Sequence, residues 1–335
     1  MKVLVTGHKG YIGVHLVELL KEAGHHVTGV DLDLFEGCEW APFVAPDVEI
    51  IDDYRTLPLS SLEGFDAVCH LAAISNDPMG DLDESLTTNV NGVGSVELAK
   101  KCKEAGAGRF LFSGSCSIYG QGETLDLDES ATFNPVSAYA HSKVDTEHGA
   151  LPLADDDFTV AILRNATAYG ASPMLRIDLV ANNLLGCAVA KGAIRIMSDG
   201  TPWRPLVHCR DIARGFVAFA EADKEIVNGR AVNFGANEEN YQVKDVADIV
   251  KDLIPTADIE YTGEIGADPR NYRVKFDLLN TLLPDFKLAY SLRSGMEELH
   301  KQYVDQGFSA EDFDGDRYVR LRTLRHRLGR FADAA

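Results

Sequence analysis

Basic residues are scarce in this chain: 32 Lys and Arg stand against 52 Asp and Glu, a net charge of −20. A surface that grips nucleic acid must neutralise phosphates with clustered cations, and an anionic membrane makes the same demand. Neither is an expected partner. A diphosphate could still bind, but only through a few donors placed in a local pocket. No apolar run approaches the ~20 residues that a membrane span needs. The six cysteines (Cys38, Cys69, Cys102, Cys116, Cys187 and Cys209) are scattered, without CxxC or Cys/His ligand spacing. That excludes a thiolate metal centre, so no metal is expected, and free buried thiols in a reducing compartment fit best. Repeats, low-complexity tracts and Pro-, Gly- or Ser-rich linkers are also missing. The chain opens on a strand-like run, Lys2 to Thr6, which leaves no room for a signal peptide. A cytoplasmic location is the expectation.

What is present is a core-forming α/β pattern. Hydrophobic residues make up 45% of 335, enough to bury a full core. Short apolar runs at Val3–Val5, His26–Val30, Glu49–Asp52, Ala67–Leu71, Phe110–Ser113 and Thr159–Leu163 read as strands. Segments with helical spacing, such as Ile12–Leu20, Glu97–Cys102 and Val136–Leu151, alternate with them. This alternation predicts right-handed crossovers and a Rossmann-type, doubly wound parallel sheet. After about Tyr169 the rhythm changes to longer loops between helices such as Leu179–Ala190 and Val243–Leu253. The expected organisation is a dinucleotide domain over residues 1–170. Residues 171–335 would form a smaller C-terminal substrate-binding lobe, with some segments returning to the first. The basic stretch Asp314–Arg330 reads as a surface helix.

The first strand runs into Gly7-His8-Lys9-Gly10-Tyr11-Ile12-Gly13 and then an amphipathic helix. Gly7 permits the tight turn, Gly10 lets backbone amides reach a pyrophosphate, and Gly13 lets the helix pack on the strand. The helix N-terminus then faces the diphosphate with free N–H groups. Asp31 ends the second strand, 18 residues beyond Gly13. A carboxylate there accepts both ribose hydroxyls and repels a 2′-phosphate, favouring NAD over NADP. Farther on, Tyr139 and Lys143 stand four apart on a predicted helix and so share one face. A cation beside a phenol favours the phenolate. Tyr139 could then take a proton from a hydroxyl as hydride leaves the same carbon.

The GxxGxxG spacing, followed in order by YxxxK, resembles the short-chain dehydrogenase/reductase superfamily, in its extended nucleotide-sugar epimerase and dehydratase branch. The resemblance covers most of the chain. It implies cofactor contacts from Tyr11 and Ile12 in the glycine segment, from Asp53 at the adenine, from Leu71, Ala72 and Ala73 along the diphosphate, and from Asn89 in an NxxG segment. It makes Ser115 the residue that hydrogen-bonds the reacting oxygen, beside Tyr139 and Lys143. Ser117 and Thr167 are implied at the sugar. Asn183, Arg204 and Arg270 (in Asp268-Pro269-Arg270-Asn271-Tyr272) are implied at the substrate diphosphate. A homodimer through the helices of Tyr139 and following Asn89 is likewise implied.

Departures from the family pattern narrow the chemistry. Sugar 4,6-dehydratases carry Asp-Glu where this chain has Cys116-Ser117, and decarboxylase relatives carry a Glu in that region. Thr167 replaces the usual Asn, and Pro205 the usual Asp after Arg204. What remains is reversible hydride transfer by a nucleotide-sugar 4-epimerase. A dehydrogenase or 4-ketoreductase, and a non-catalytic NAD sensor, stay open as alternatives. Cys116 and Cys209 are expected to be packing residues.

Overall fold

The computed structural model describes residues 1–80, 82–120, 126–262 and 270–332, with side chains to residue 327 in the last helix. Twelve strands are present among these residues: β1 (Lys2–Thr6), β2 (His26–Asp31), β3 (Val48–Ile51), β4 (Ala67–His70), β5 (Arg109–Ser115), β6 (Thr159–Asn165), β7 (Thr167–Tyr169), β8 (Ala193–Ile196), β9 (Trp203–His208), β10 (Arg230–Phe234), β11 (Asn240–Gln242) and β12 (Asp258–Tyr261). Seven of them form one parallel sheet in the order β10-β6-β5-β4-β1-β2-β3.

The alternation of side chains along each strand explains the two covered faces. Val3, Val5, Leu111, Ala161 and Leu163 point to one core, with Leu16 and Val17 of the Gly13–Glu22 helix and Phe216 and Phe219 of the Cys209–Glu221 helix. Their neighbours Leu4, Phe110, Phe112, Val160 and Ile162 point to the other, with Leu98 and Ala150 from the helices Gly94–Glu104 and Ala138–Ala150. A third cluster, around Leu184, Val246, Met296 and Tyr303, lies outside the sheet. It is built with the small sheets β11-β9-β7 and β12-β8.

The six expected strands are all present, with ends shifted by a residue or two. The chain does not divide cleanly near residue 170. The Cys209–Glu221 helix packs on the sheet, and β10 pairs with β6 from Arg230–Ala161 to Phe234–Asn165. The basic tail forms a helix at Arg320–Ala332, but its first residue is buried, not surface.

No helix among the described residues is long and apolar enough to cross a membrane. All six cysteines are free and buried. No group of three His, Cys, Asp or Glu gathers among the described residues as a metal site would require.

Candidate active site

Strand order reverses at β1, whose neighbours are β4 on one side and β2 on the other. In a doubly wound sheet the crevice at such a switch point, beyond the strands' carboxyl ends, is where ligands bind. A cavity of about 1260 Å³ opens there. That exceeds the ~300–1,000 Å³ of a usual single-ligand site, which leaves room for two ligands.

The glycine segment forms one wall. Gly7 has φ of +74°, a conformation that costs glycine nothing. A Cβ there would lie 2.8 Å from the Ala72 backbone nitrogen. A Cβ at Gly13 would lie 2.1 Å from the Gly7 carbonyl oxygen and 2.8 Å from His8 Cα. The helix can begin under the loop only because both side chains are missing. Gly13→Ala is therefore expected to push the helix off the loop. Overpacking of this kind costs ~1–3 kcal/mol, so melting should occur at lower temperature and NAD affinity in titration should fall by at least ~5-fold, the ratio that ~1 kcal/mol corresponds to. Unchanged affinity would mean that the loop does not cradle the ligand.

Asp31 accepts from the Lys9 amide at 3.0 Å and from the Asp33 amide at 2.9 Å, one at each oxygen. A carboxylate has about four acceptor positions, so two remain for ribose hydroxyls. The Lys9 ammonium lies 2.6 Å from Asp33 and 3.3 Å from Glu49. The wall is thus hostile to an added 2′-phosphate, and a dinucleotide without one fits. Asp53 lines the cavity with its carboxylate held by Arg55, whose hydrogen bond keeps it below the usual carboxylate pKa range. Leu71, Ala72, Ala73 and Ile12 also line it.

Tyr11 lines the cavity too, while its side chain has a further partner, and Asn89 falls outside the lining. The Tyr11 hydroxyl donates to Gly170 O at 2.6 Å and receives Asn182 Nδ2 at 3.1 Å, so its side chain ties the glycine segment to the second lobe. Asn89 is not a cavity residue. It lies in a π-helical turn, Thr88–Val93, and is exposed, with only a 3.4 Å contact from Arg55. The wider turn rotates Asn91 inward instead. Its side chain clamps Ile74, accepting from the amide at 2.8 Å and donating to the carbonyl at 3.0 Å.

At the end of β5 the reactive groups converge. β5 and β6 pair so that Ser115 stands beside Asn165. The Ala138–Ala150 helix is capped by Ser137, whose hydroxyl accepts from the Ala140 amide at 3.1 Å, which sets Tyr139 in its first turn. Tyr139 and Ser115 line the same cavity, close enough for the Ser115 hydroxyl to favour the phenolate. Ser117 is buried in the cavity wall, with no hydrogen-bond partner for its hydroxyl among the described residues. Lys143 donates to Ser113 O at 2.7 Å, and its ammonium lies 5.4 Å from the Tyr139 ring centre. It is the Ser113 carbonyl, not the phenol, that holds the cation. Burial lowers the Lys143 pKa to about 7. Burial also pushes the Tyr139 pKa up to about 12, with Asp77 adding to the rise, while the Ser115 hydroxyl, Arg176 and Arg270 oppose it.

Asp77, Arg176 and Asp178 carry no local sequence signal. Arg176 grips Asp178 with two nitrogens, at 3.0 and 2.8 Å, and reaches Ser75 at 3.2 Å; Asn76 completes the cluster by donating to Asp178 at 2.9 Å. Asp77 pairs with Arg270 at 2.9 Å and accepts from Ser137. A carboxylate does act on the Tyr139 phenol through space, then, but from residue 77 and not from the positions after Ser115. Because its charge opposes a phenolate, Asp77→Asn is expected to lower the Tyr139 pKa. The acid limb of the kcat/KM–pH profile, where rate rises as the phenol ionises, should move to lower pH. A limb that moves up or stays would contradict this sign.

The remaining expected residues lie at the far end of the same cavity. Arg204 donates to the carbonyls of Trp203, at 2.7 Å, and Arg270. Asn183 donates to Ile177 O at 3.0 Å, and Thr167 sits at the start of β7. Asp268 and Pro269 lie outside the described residues. Cys116 and Cys209 donate to the carbonyls of Arg164 and Ala171 and are fully buried; burial raises both thiols. They are packing residues.

Known proteins share this architecture. An uncharacterized UDP-glucose epimerase of Bacillus subtilis is 27% identical over 311 residues, covering 88% of this chain and 96% of that protein. The UDP-glucuronic acid 4-epimerase of Bacillus cereus, solved with UDP-glucuronic acid and NAD, superposes with a TM-score of 0.77 at 26% identity, covering 91% of this chain and 99% of that one. An NAD-dependent NDP-hexosamine 5,6-dehydratase of tunicamycin biosynthesis gives a TM-score of 0.81 at 23% identity, over 91% and 98% of the two chains, a likeness of fold. The family model described as NAD dependent epimerase/dehydratase matches residues 3–235, and the chain belongs to that family.

Proposed function

We propose that the protein is a nucleotide-sugar 4-epimerase that works through transient oxidation at C4, with NAD in the glycine-loop end of the cavity. The observation that carries this reading is the convergence of Tyr139, Ser115 and Lys143 on the same cavity that the glycine segment and Asp31 line. When bound, NAD supplies a hydride acceptor and donor. Tyr139 takes the proton of the sugar hydroxyl and later returns it. Ser115, on the same cavity wall as the phenol, orients that hydroxyl, and the buried Ser117 hydroxyl offers a second hydrogen bond. Lys143, fixed by Ser113 O, supplies positive charge under the phenol. Arg204, Arg270 and Asn183 hold the nucleotide diphosphate, since planar guanidinium donors match phosphate oxygens. Anchoring by the nucleotide leaves the sugar free to turn within the cavity between oxidation and reduction.

The test is incubation with UDP-, dTDP-, GDP- and CDP-sugars, following C4 configuration by NMR. An epimer without NADH build-up is the expected result. Stable keto-sugar with stoichiometric NADH would instead make the protein a dehydrogenase, and inertness towards all four nucleotides with NAD bound would end the enzymatic reading. We further expect two copies to meet through the helices of Tyr139 and following Asn89, beside the exposed Val93 that ends the π turn leading into the second of them. Sedimentation velocity should give twice the 36.5 kDa chain mass.

A further inference from the structure

The end of the chain folds back over the cofactor half of the cavity. Arg317 donates to Glu39 O and Arg327 to Leu34 O, so the loop that follows Asp31 is roofed by the C-terminal segment. Trp40 at the end of that loop packs edge-on against Tyr318, ring centres 5.2 Å apart. At the middle of this roof lies Arg320, 3% exposed and part of the cavity wall. Its guanidinium carbon sits 4.1 Å from the Phe35 ring centre. Nη2 donates to Met174 O at 3.3 Å, and Nη1 is buried without a hydrogen-bond partner among the described residues.

A buried guanidinium with a single weak hydrogen bond is costly, because a charge taken out of water needs a partner to offset its desolvation. Asp31 and Asp178 act on Arg320 only through space, and Arg176 opposes its charge; burial is the largest influence and draws its pKa down to about 10. The position says what the partner is. Phe35 follows the ribose-binding Asp31 by four residues, and Met174 follows Gly170, which the Tyr11 hydroxyl of the glycine segment grips. Arg320 also begins a helix, whose N-terminal dipole favours an anion. We propose that Arg320 binds the diphosphate of the dinucleotide, so that the C-terminal segment is a working part of the cofactor site. This rests on the NAD reading above.

Binding of NAD, ADP, UDP and adenosine to the full chain, measured by calorimetry or ligand-observed NMR with melting of each ligand-free protein alongside, tests the proposal. A charge-assisted hydrogen bond is worth at least ~1.4 kcal/mol, so Arg320→Met should weaken NAD and ADP at least ~10-fold. Adenosine and UDP should bind as before. Arg320→Lys, which keeps the charge but not the planar fork, should fall between the two and guards against misfolding of the first variant. NAD and ADP affinities within twofold of wild type would overturn the proposal. So would an equal loss for adenosine, the mark of a displaced Phe35, or a loss confined to UDP, the mark of a substrate contact. Failure of the wild-type protein to bind NAD would instead overturn the reading on which it rests.

Discussion

Tyr139→Phe should lose ~10²- to 10⁴-fold in kcat, the span that proton transfer by a positioned side chain contributes, while binding NAD and nucleotide-sugar as wild type does. The reasoning is local. The hydroxyl is the only part removed, and it belongs to a residue of the cavity wall, near Ser115. The ring and the Ser137 cap that sets the helix stay in place, so no cavity or broken cap accompanies the loss. Lys143 keeps its bond to Ser113 O. A structural role for the hydroxyl would show as lowered melting temperature and raised KM; a catalytic one shows in kcat alone. Retention of more than a tenth of wild-type kcat would remove Tyr139 from the proton-transfer step.

What is legible in the sequence follows from the range over which its physics acts. The glycine segment can be read because three missing side chains at fixed spacing decide one backbone path, and the structure repeats the reason at Gly7 and Gly13. Tyr139 and Lys143 can be read because a helix brings residues four apart to one face. Asn89, implied by the resemblance of its NxxG segment, stands outside the cavity lining, and in the π turn at Thr88–Val93 it is Asn91 that faces inward. Tyr11 occupies the expected position, but its side chain serves the second lobe. The charges that set the electrostatics of the site are a different case. Asp77, Arg176, Asp178 and Arg320 come from separate loops and the C-terminus, and only the folded chain brings them near Tyr139 or Asp31. Likewise the run Arg230–Phe234 is too short to announce that it returns to the main sheet beside β6.

Glu147→Ala should cost ~3–5 kcal/mol of folding stability, the usual penalty for leaving a buried charge without its partner. Glu147 shares a helix with Tyr139 and Lys143, and Arg164 lies on β6; both residues are 4% exposed. Arg164 Nε meets one carboxylate oxygen at 3.0 Å and Nη2 the other. Its third nitrogen donates to the Tyr119 hydroxyl at 2.8 Å and to Glu129 O at 3.2 Å. Every guanidinium nitrogen is therefore used, and the helix is fixed to the sheet at a defined height. Removing the carboxylate strands the cation where water cannot replace it. Glu147→Gln keeps the shape and one acceptor and should cost less. The double variant Glu147→Leu with Arg164→Met removes both charges, and apolar replacement of a buried pair is commonly neutral or favourable, so it should recover most of the loss. Urea midpoints for the four proteins measure this directly. If the double variant is as unstable as Glu147→Ala, the penalty comes from packing and not from the unpaired charge. If it is stable but slow, with kcat reduced and KM unchanged, the ion pair has a second consequence: it holds the catalytic helix at the height where Tyr139 meets Ser115.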